Sequence, residues 1–147
     1  MDVLETLTQR ECLTRLASRT IGRVVFTEHA LPAIRPMSYV LIGHHIVVRT
    51  HEADLADRLD GQVVAFQIDG LGQIDGLGQV DELVGWSVVV TGTAHKLPEP
   101  GELSHLCQAR PAGAGKAPPT TALGIACGEV KGILFRQCLA ATMEGCS

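Results

Sequence analysis

Arg49 and Thr50 stand side by side at the end of a strand-forming run, IVVRT. A guanidinium offers a planar fork of donors and a hydroxyl adds one more. Together they could hold an anion such as a phosphate. The same pair also describes an ordinary solvated strand end, and the spacing alone leaves both readings open. A second group precedes it in Arg35, Pro36, Met37, Ser38 and Tyr39. In an extended chain, alternate residues point to opposite faces. Ile34, Pro36, Ser38 and Val40 then share one face, and Arg35, Met37, Tyr39 and Leu41 the other.

Other reactive side chains do not assemble into a recognisable pattern. His44, His45 and His51 lack metal-ligand spacing, and His44 and His45 diverge if the chain is extended, so no metal site is expected. They read as surface turn histidines. The five cysteines contain no Cys-x-x-Cys pair and read as reduced thiols, with Cys12 and Cys127 as buried fillers. The segment Gly113-Ala114-Gly115-Lys116 has an outline of a phosphate loop. Arg110 stands where its first glycine belongs, and Ala117 replaces the magnesium-binding hydroxyl. No catalytic acid, base or nucleophile can be named.

The elements that must position these residues follow from local signals. Thr8 and Glu11 form a capping box, which predicts a helix to about Arg19 with Cys12, Leu13, Leu16 and Ala17 buried. Arg23–Thr27 is a strand, and residues 28–32 turn into the pair 33–50, itself folded at Gly43-His44. A short helix over 51–59 turns Leu55, Ala56 and Leu59 inward and stops at Gly61. Val63–Asp69 is a strand with Val64, Phe66 and Ile68 on its apolar face.

The hexamer QIDGLG occurs at 67–72 and again at 73–78. Two copies are too few for a solenoid. Asp69, Asp75 and Asp81 lack the ligand order of a calcium loop. Residues 70–84 are therefore expected to be an expanded hairpin loop. Gly85–Leu97 is the longest strand, with Trp86, Val88, Val90 and Ala94 on one face. Glu102–Ala109 is a helical turn and 110–121 a flexible loop. Residues 122–136 supply one or two closing strands, broken at Gly128 or Gly132.

A chain of 147 residues suits a single domain, and 46% apolar content excludes disorder. The net charge of −4 gives no basic footprint, which argues against nucleic acid. No apolar run reaches the roughly 20 residues of a membrane span. The acidic N-terminus is unlike a signal peptide, so the expected location is the cytoplasm. Short strands, hairpin turns and few helices describe an antiparallel barrel or sandwich.

The order of the N-terminal helix, GRVVFT, the 33–50 pair, VVAFQID and GWSVVVTGTA resembles the pyridoxamine 5′-phosphate oxidase-like family of flavin- and deazaflavin-binding split barrels. The resemblance runs from about Glu11 to Leu97. It implies a mainly β fold, a six-stranded antiparallel Greek-key split barrel with a few short helices and an N-terminal helical segment over 1–21. It also implies a homodimer with a cofactor in each of two clefts between subunits. Arg35, Pro36, Met37, Ser38 and Tyr39 match the family's ring seat, Arg49 and Thr50 its phosphate site, and Trp86 and Ser87 its GWS segment. For Trp86 the alternative is the largest core residue of an aromatic-poor chain.

Leu55 stands where many relatives carry lysine, and Gln67 where they carry glutamate. Both changes bear on the cofactor, which is expected to be FMN, a deazaflavin coenzyme, or none. The implied function is an oxidoreductase acting on a small organic substrate. Its alternative is a non-catalytic protein that binds or senses such a ligand.

Overall fold

The structure is a computed structural model and describes residues 2–73, 82–98 and 120–138. Eight strands and two short helices follow one another in the order β1 (Asp2–Leu7), α1 (Gln9–Ala17), β2 (Ile21–Glu28), β3 (Leu31–Ile42), β4 (His45–Thr50), α2 (Ala53–Leu59), β5 (Val63–Gln73), β6 (Glu82–Lys96), β7 (Thr121–Ala126) and β8 (Glu129–Cys138). All pairings are antiparallel. The path β2-β3-β4-β7-β6-β5 returns to β2, so six strands pair in a ring, and β8 and β1 extend outward from β6. The expected count of six is thus the ring alone.

Two hairpins of the ring, β2–β3 and β3–β4, are local in origin. Gly43 takes a positive φ of 60° in the β3–β4 turn. At the β2–β3 turn the left-handed residues are His29 and Ala30, at φ of 51° and 63°. Two positive φ angles in a row match the right-handed twist of paired strands. The sheet register around the turn holds these side chains where glycine or asparagine is usual.

Closure depends on β6, whose one edge serves two partners. Residues 82–91 pair with β8, and 94–96 pair with β7. Between them lies Gly92, where a Cβ would run into the carbonyl oxygen of Ala126. Inside the ring, Phe66, Ile46, Leu55, Ile68, Val88, Val90, Leu123 and Ile125 are fully buried. The predicted inward faces of β5 and β6 are observed, with Val64, Phe66, Ile68, Val88, Val90 and Ala94 all buried.

Helix α1 begins with both halves of its capping box, Glu11 N–H to Thr8 Oγ1 at 3.2 Å and Thr8 N–H to Glu11 Oε2 at 3.1 Å. It buries Cys12 and Leu16. Leu13 is half-buried and Ala17 is exposed, because the helix turns its second flank to solvent. Three further expectations are corrected. The N-terminal segment 1–21 is not purely helical, since residues 2–7 form an edge strand held by the β8 backbone rather than by a local hydrophobic pattern. The first QIDGLG copy lies wholly within β5, pairing from Gln67↔Val89 to Gly72↔Val84. Thr121 already belongs to β7. The remainder of the hairpin connection at 74–81, the predicted turn over 102–109 and most of the 110–121 loop lie outside the described residues.

Because backbone at Gly92 meets backbone at Ala126, no side-chain rotation can make room for a methyl group. Gly92→Ala should destabilise the fold by roughly 1–3 kcal/mol, the usual cost of overpacking, read from its urea midpoint. An unchanged midpoint would mean that the ring has slack at this crossing.

Candidate functional site

The predicted ring seat on β3 splits between two faces. Met37 and Tyr39 point into the core, at 7% and 4% exposure. Pro36 and Ser38 face outward and are exposed. A ligand lying on the outer face of β3 meets those two side chains and the backbone, but not Met37 or Tyr39. Tyr39 is engaged elsewhere. Its hydroxyl donates to the Leu16 carbonyl at 2.5 Å, its N–H donates to Thr20 O at 2.9 Å, and its ring stands edge-on to Phe66. It ties the end of α1 to the ring.

Arg35 is half-buried and sits among carboxylates, with its Nε 3.5 Å from Glu52 and its Nη2 3.8 Å from Glu28. Glu28 also accepts from Arg58 at 2.7 Å, and that hydrogen bond holds its carboxyl below the usual carboxylate range. Glu28, Arg58 and His29 line a recess of about 260 Å³ between the β2–β3 turn and α2.

At the end of β4, Arg49 donates to Thr120 Oγ1 at 2.6 Å. Thr50 is buried, and its Oγ1 accepts the Glu52 N–H at 3.0 Å, which leaves its own hydroxyl proton to donate. A guanidinium and the Thr120 hydroxyl therefore meet where β4 and β7 run side by side, while Thr50, the next residue of β4, is turned to the buried face. Their chemistry suits an anion. Leu55 does not belong to that donor set. It is 1% exposed and lies in the core with Ala56 and Leu59, on the inner face of α2.

Trp86 and Ser87 belong to a different region and to opposite faces of β6. Arg49 pairs with Ala122, and the neighbouring Leu123 pairs with Lys96. Trp86 lies ten positions before Lys96, about 30 Å along an extended strand. The Trp86 ring is half-buried, with the guanidinium carbons of Arg15 and Arg19 at 4.9 and 5.3 Å from it. A Cβ at Gly70 would run into its indole nitrogen, so the first hexamer copy supplies the ring's seat.

Ser87 accepts from Gln67 Nε2 at 3.2 Å on the outer face. The same amide donates to Asp69 at 3.2 Å, while Gln67 Oε1 accepts from Arg23 at 2.8 Å. A glutamate could not donate, and it would put a second carboxylate against Asp69. The amide is what lets this row close.

Sequence reasoning missed Thr120, the Arg23–Gln67–Asp69–Ser87 row and the two arginines on Trp86. The signals were present in part. Arg23 and Gln67 are each on the outward side of their strands, and Arg15 and Arg19 are one helical turn apart.

The profile of the family described as Pyridoxamine 5′-phosphate oxidase matches residues 8–125. The chain belongs to the pyridoxamine 5′-phosphate oxidase-like family. An uncharacterized protein of Mycobacterium tuberculosis is 36% identical over 104 residues, 67% of this chain and 64% of that protein. The match thus spans less than two thirds of that relative's own length.

Two solved structures share the fold. A FAD binding protein from Mycobacterium smegmatis superposes with a TM-score of 0.67 at 23% identity, covering 89% of this chain and 99% of the other. A FAD-binding protein from Mesorhizobium loti gives 0.66 at 23% identity, covering 89% and 97%. The ring of strands in this chain resembles the split-barrel topology of its family.

Among the described residues no helix is long and apolar enough to cross a membrane, and no group of metal-ligating side chains comes together.

Two outcomes follow. Tyr39 is the single tyrosine, and burial pushes its phenol up to about 12, with Arg19 opposing in part. The neutral phenol is favoured in the fold, so its contribution is intact below the ordinary value near 10 and is lost as the pH rises through about 12. Tyrosinate absorbance should therefore appear about two units late, and a rise near 10 in folded protein would contradict this burial. Leu55→Lys, the residue that the family resemblance leads one to expect, should cost about 3 kcal/mol or more through lost packing and a buried ammonium. If that variant keeps its urea midpoint, the lysine reaches solvent and the position is available for ligand contact.

Proposed function

We propose that this protein is a flavin-binding oxidoreductase of the cytoplasm, a six-stranded Greek-key split barrel that works as a homodimer. The cofactor is FMN, with a deazaflavin coenzyme as the alternative, and the substrate is a small organic molecule. The observation that carries the reading is the set of donors at the end of β4, Arg49 held by Thr120 with the Thr50 hydroxyl next along the strand. Two of its members stand where the family holds a phosphate. Two structural relatives are FAD-binding proteins, which supports a flavin of some kind.

The distribution of the remaining site residues supports the dimer. Trp86 and Ser87 lie about 30 Å of strand away from Arg49, so one protomer cannot close around one flavin with all of them. A second copy brings its own set to the first. Five large apolar side chains, Ile21, Ile34, Val63, Leu71 and Val89, stand exposed on β2, β3, β5 and β6. A row of this kind marks a surface that another chain covers. Pro36, Ser38 and the β3 backbone would line the ring edge. When bound, a flavin supplies the two-electron redox chemistry, and the residues here bind it, orient it and keep water away.

A second reading is a ligand-binding protein without turnover. The burial of Leu55 in place of a lysine favours it, because the phosphate then has one cation fewer. Oxidation of a reduced nicotinamide in the presence of flavin would decide for the enzyme.

The binding site itself is tested by flavin fluorescence quenching. A hydrogen bond to a charged group is worth about 1.5–3 kcal/mol, so Arg49→Ala should weaken FMN by roughly ten- to a hundredfold. Riboflavin, which has no phosphate, should hardly respond. Equal FMN affinity in the variant and the wild type would place the phosphate elsewhere. Sedimentation should give twice 15.6 kDa.

A further inference from the structure

We infer that Arg15, Arg19 and Trp86 form a second anion site, one that takes a phosphoryl group and is separate from the donors at the end of β4. Two guanidiniums gather on one indole ring, at 4.9 and 5.3 Å from its centroid. Each contact is favourable by itself, since the ring face is negative. Bringing two like charges to the same ring is not, and among the described residues no carboxylate pairs with either of them.

The obvious candidate for neutralisation is Glu11, four residues before Arg15. Its carboxylate is turned the other way, accepting the Thr8 N–H of the capping box at 3.1 Å. Asp69, on the neighbouring strand, is 3.4 Å from Arg23. Among the described residues neither Arg15 nor Arg19 has a carboxylate within ion-pair distance. Tyr39, which also feels Arg19, stays a neutral phenol. The C-terminal end of α1 offers about half a negative charge, enough to explain one cation but not two. The local sum is positive.

Geometry makes the surplus usable. Arg15 is half-buried in the last turn of α1, while Arg19 lies beyond the helix end and is exposed. Trp86 cannot retreat, because the backbone at Gly70 lies directly against its indole nitrogen. The ring therefore brings two planar donor forks to one place, each within 5.3 Å of its centroid. Guanidinium forks match the oxygens of a phosphate, each offering two parallel hydrogen bonds. The acceptor that fits is a phosphate monoester or diphosphate, whose charge offsets both arginines.

Trp86 is the single tryptophan, so the emission comes from this ring. The full-length wild-type protein is titrated with inorganic phosphate and, separately, with pyrophosphate, at constant ionic strength set by sodium chloride. A saturable change in emission is expected with each, as the anion draws the guanidiniums off the ring. Arg15→Gln with Arg19→Gln should abolish the response. Arg19→Gln alone, an exposed change, should raise the midpoint by about tenfold.

Arg49→Ala should leave this titration unmoved, which separates the site from the flavin reading. An absent response in the wild type overturns the proposal even if the double variant fails to fold. So does one that sodium chloride reproduces, or one that survives unchanged in a folded double variant.

Discussion

Everything in this molecule hangs on one edge of one strand. An antiparallel strand has a single row of donors and acceptors on each side, and a ring of six needs both rows of every member filled. β6 fills one row with β5 from Leu83 to Thr93 and divides the other between β8 and β7. The division is possible because Gly92 lets the Ala126 carbonyl come close at the point of exchange. Without it, β7 would have no partner on that side and would itself become an edge. The same division frees β8 to carry β1, so the two outlying strands and the closed ring arise from one backbone contact.

The closed ring then decides where polar groups can be. The interior is filled mostly by aliphatic side chains, with Phe66 and Tyr39 packed edge to face, and the Tyr39 hydroxyl finds the end of α1. Charges are driven to the rim and to the outer face. At the rim, Arg35 and Arg58 share Glu28, joining the β2–β3 turn to α2. On the outer face, Gln67 joins Arg23 to Asp69 and Ser87 across three strands. Exposed pairs of this kind add little stability each. Their effect is to fix side chains in a defined order on a surface that is otherwise apolar.

How much of this could be read from the sequence depended on how local each cause was. Thr8 and Glu11, three residues apart, gave the start of α1, and Gly43 gave the β3–β4 turn. Alternation gave the inward faces of β5 and β6. β1 escaped notice because Val3 and Leu4 are exposed and the strand is held through its backbone by residues more than 120 positions later. The extension of β5 into the repeat escaped for a similar reason, since glycine-rich strands are recognised by their partner and not by their own residues. For the candidate site, each residue's strand was legible, but its company was not. Nothing local puts Thr120 beside Arg49, or two residues of α1 on Trp86.

Leu55 shows why a family pattern cannot be carried over one position at a time. A seven-residue helix over the end of a ring has few ways to hold itself there. α2 uses Leu55, Ala56 and Leu59 as its whole buried face, and it is tied laterally by Lys96 to Asp57 at 2.6 Å and by the Lys96 N–H to Asp60 at 2.8 Å. With so small an interface, the leucine cannot be given up for a charge without loosening the helix. The helix in turn starts from the Thr50 hydroxyl, through the Glu52 N–H. Thr50 and Leu55 thus hold α2 from two sides, and a phosphate taken at Arg49 and Thr50, as proposed, would draw on the same hydroxyl that meets the start of α2.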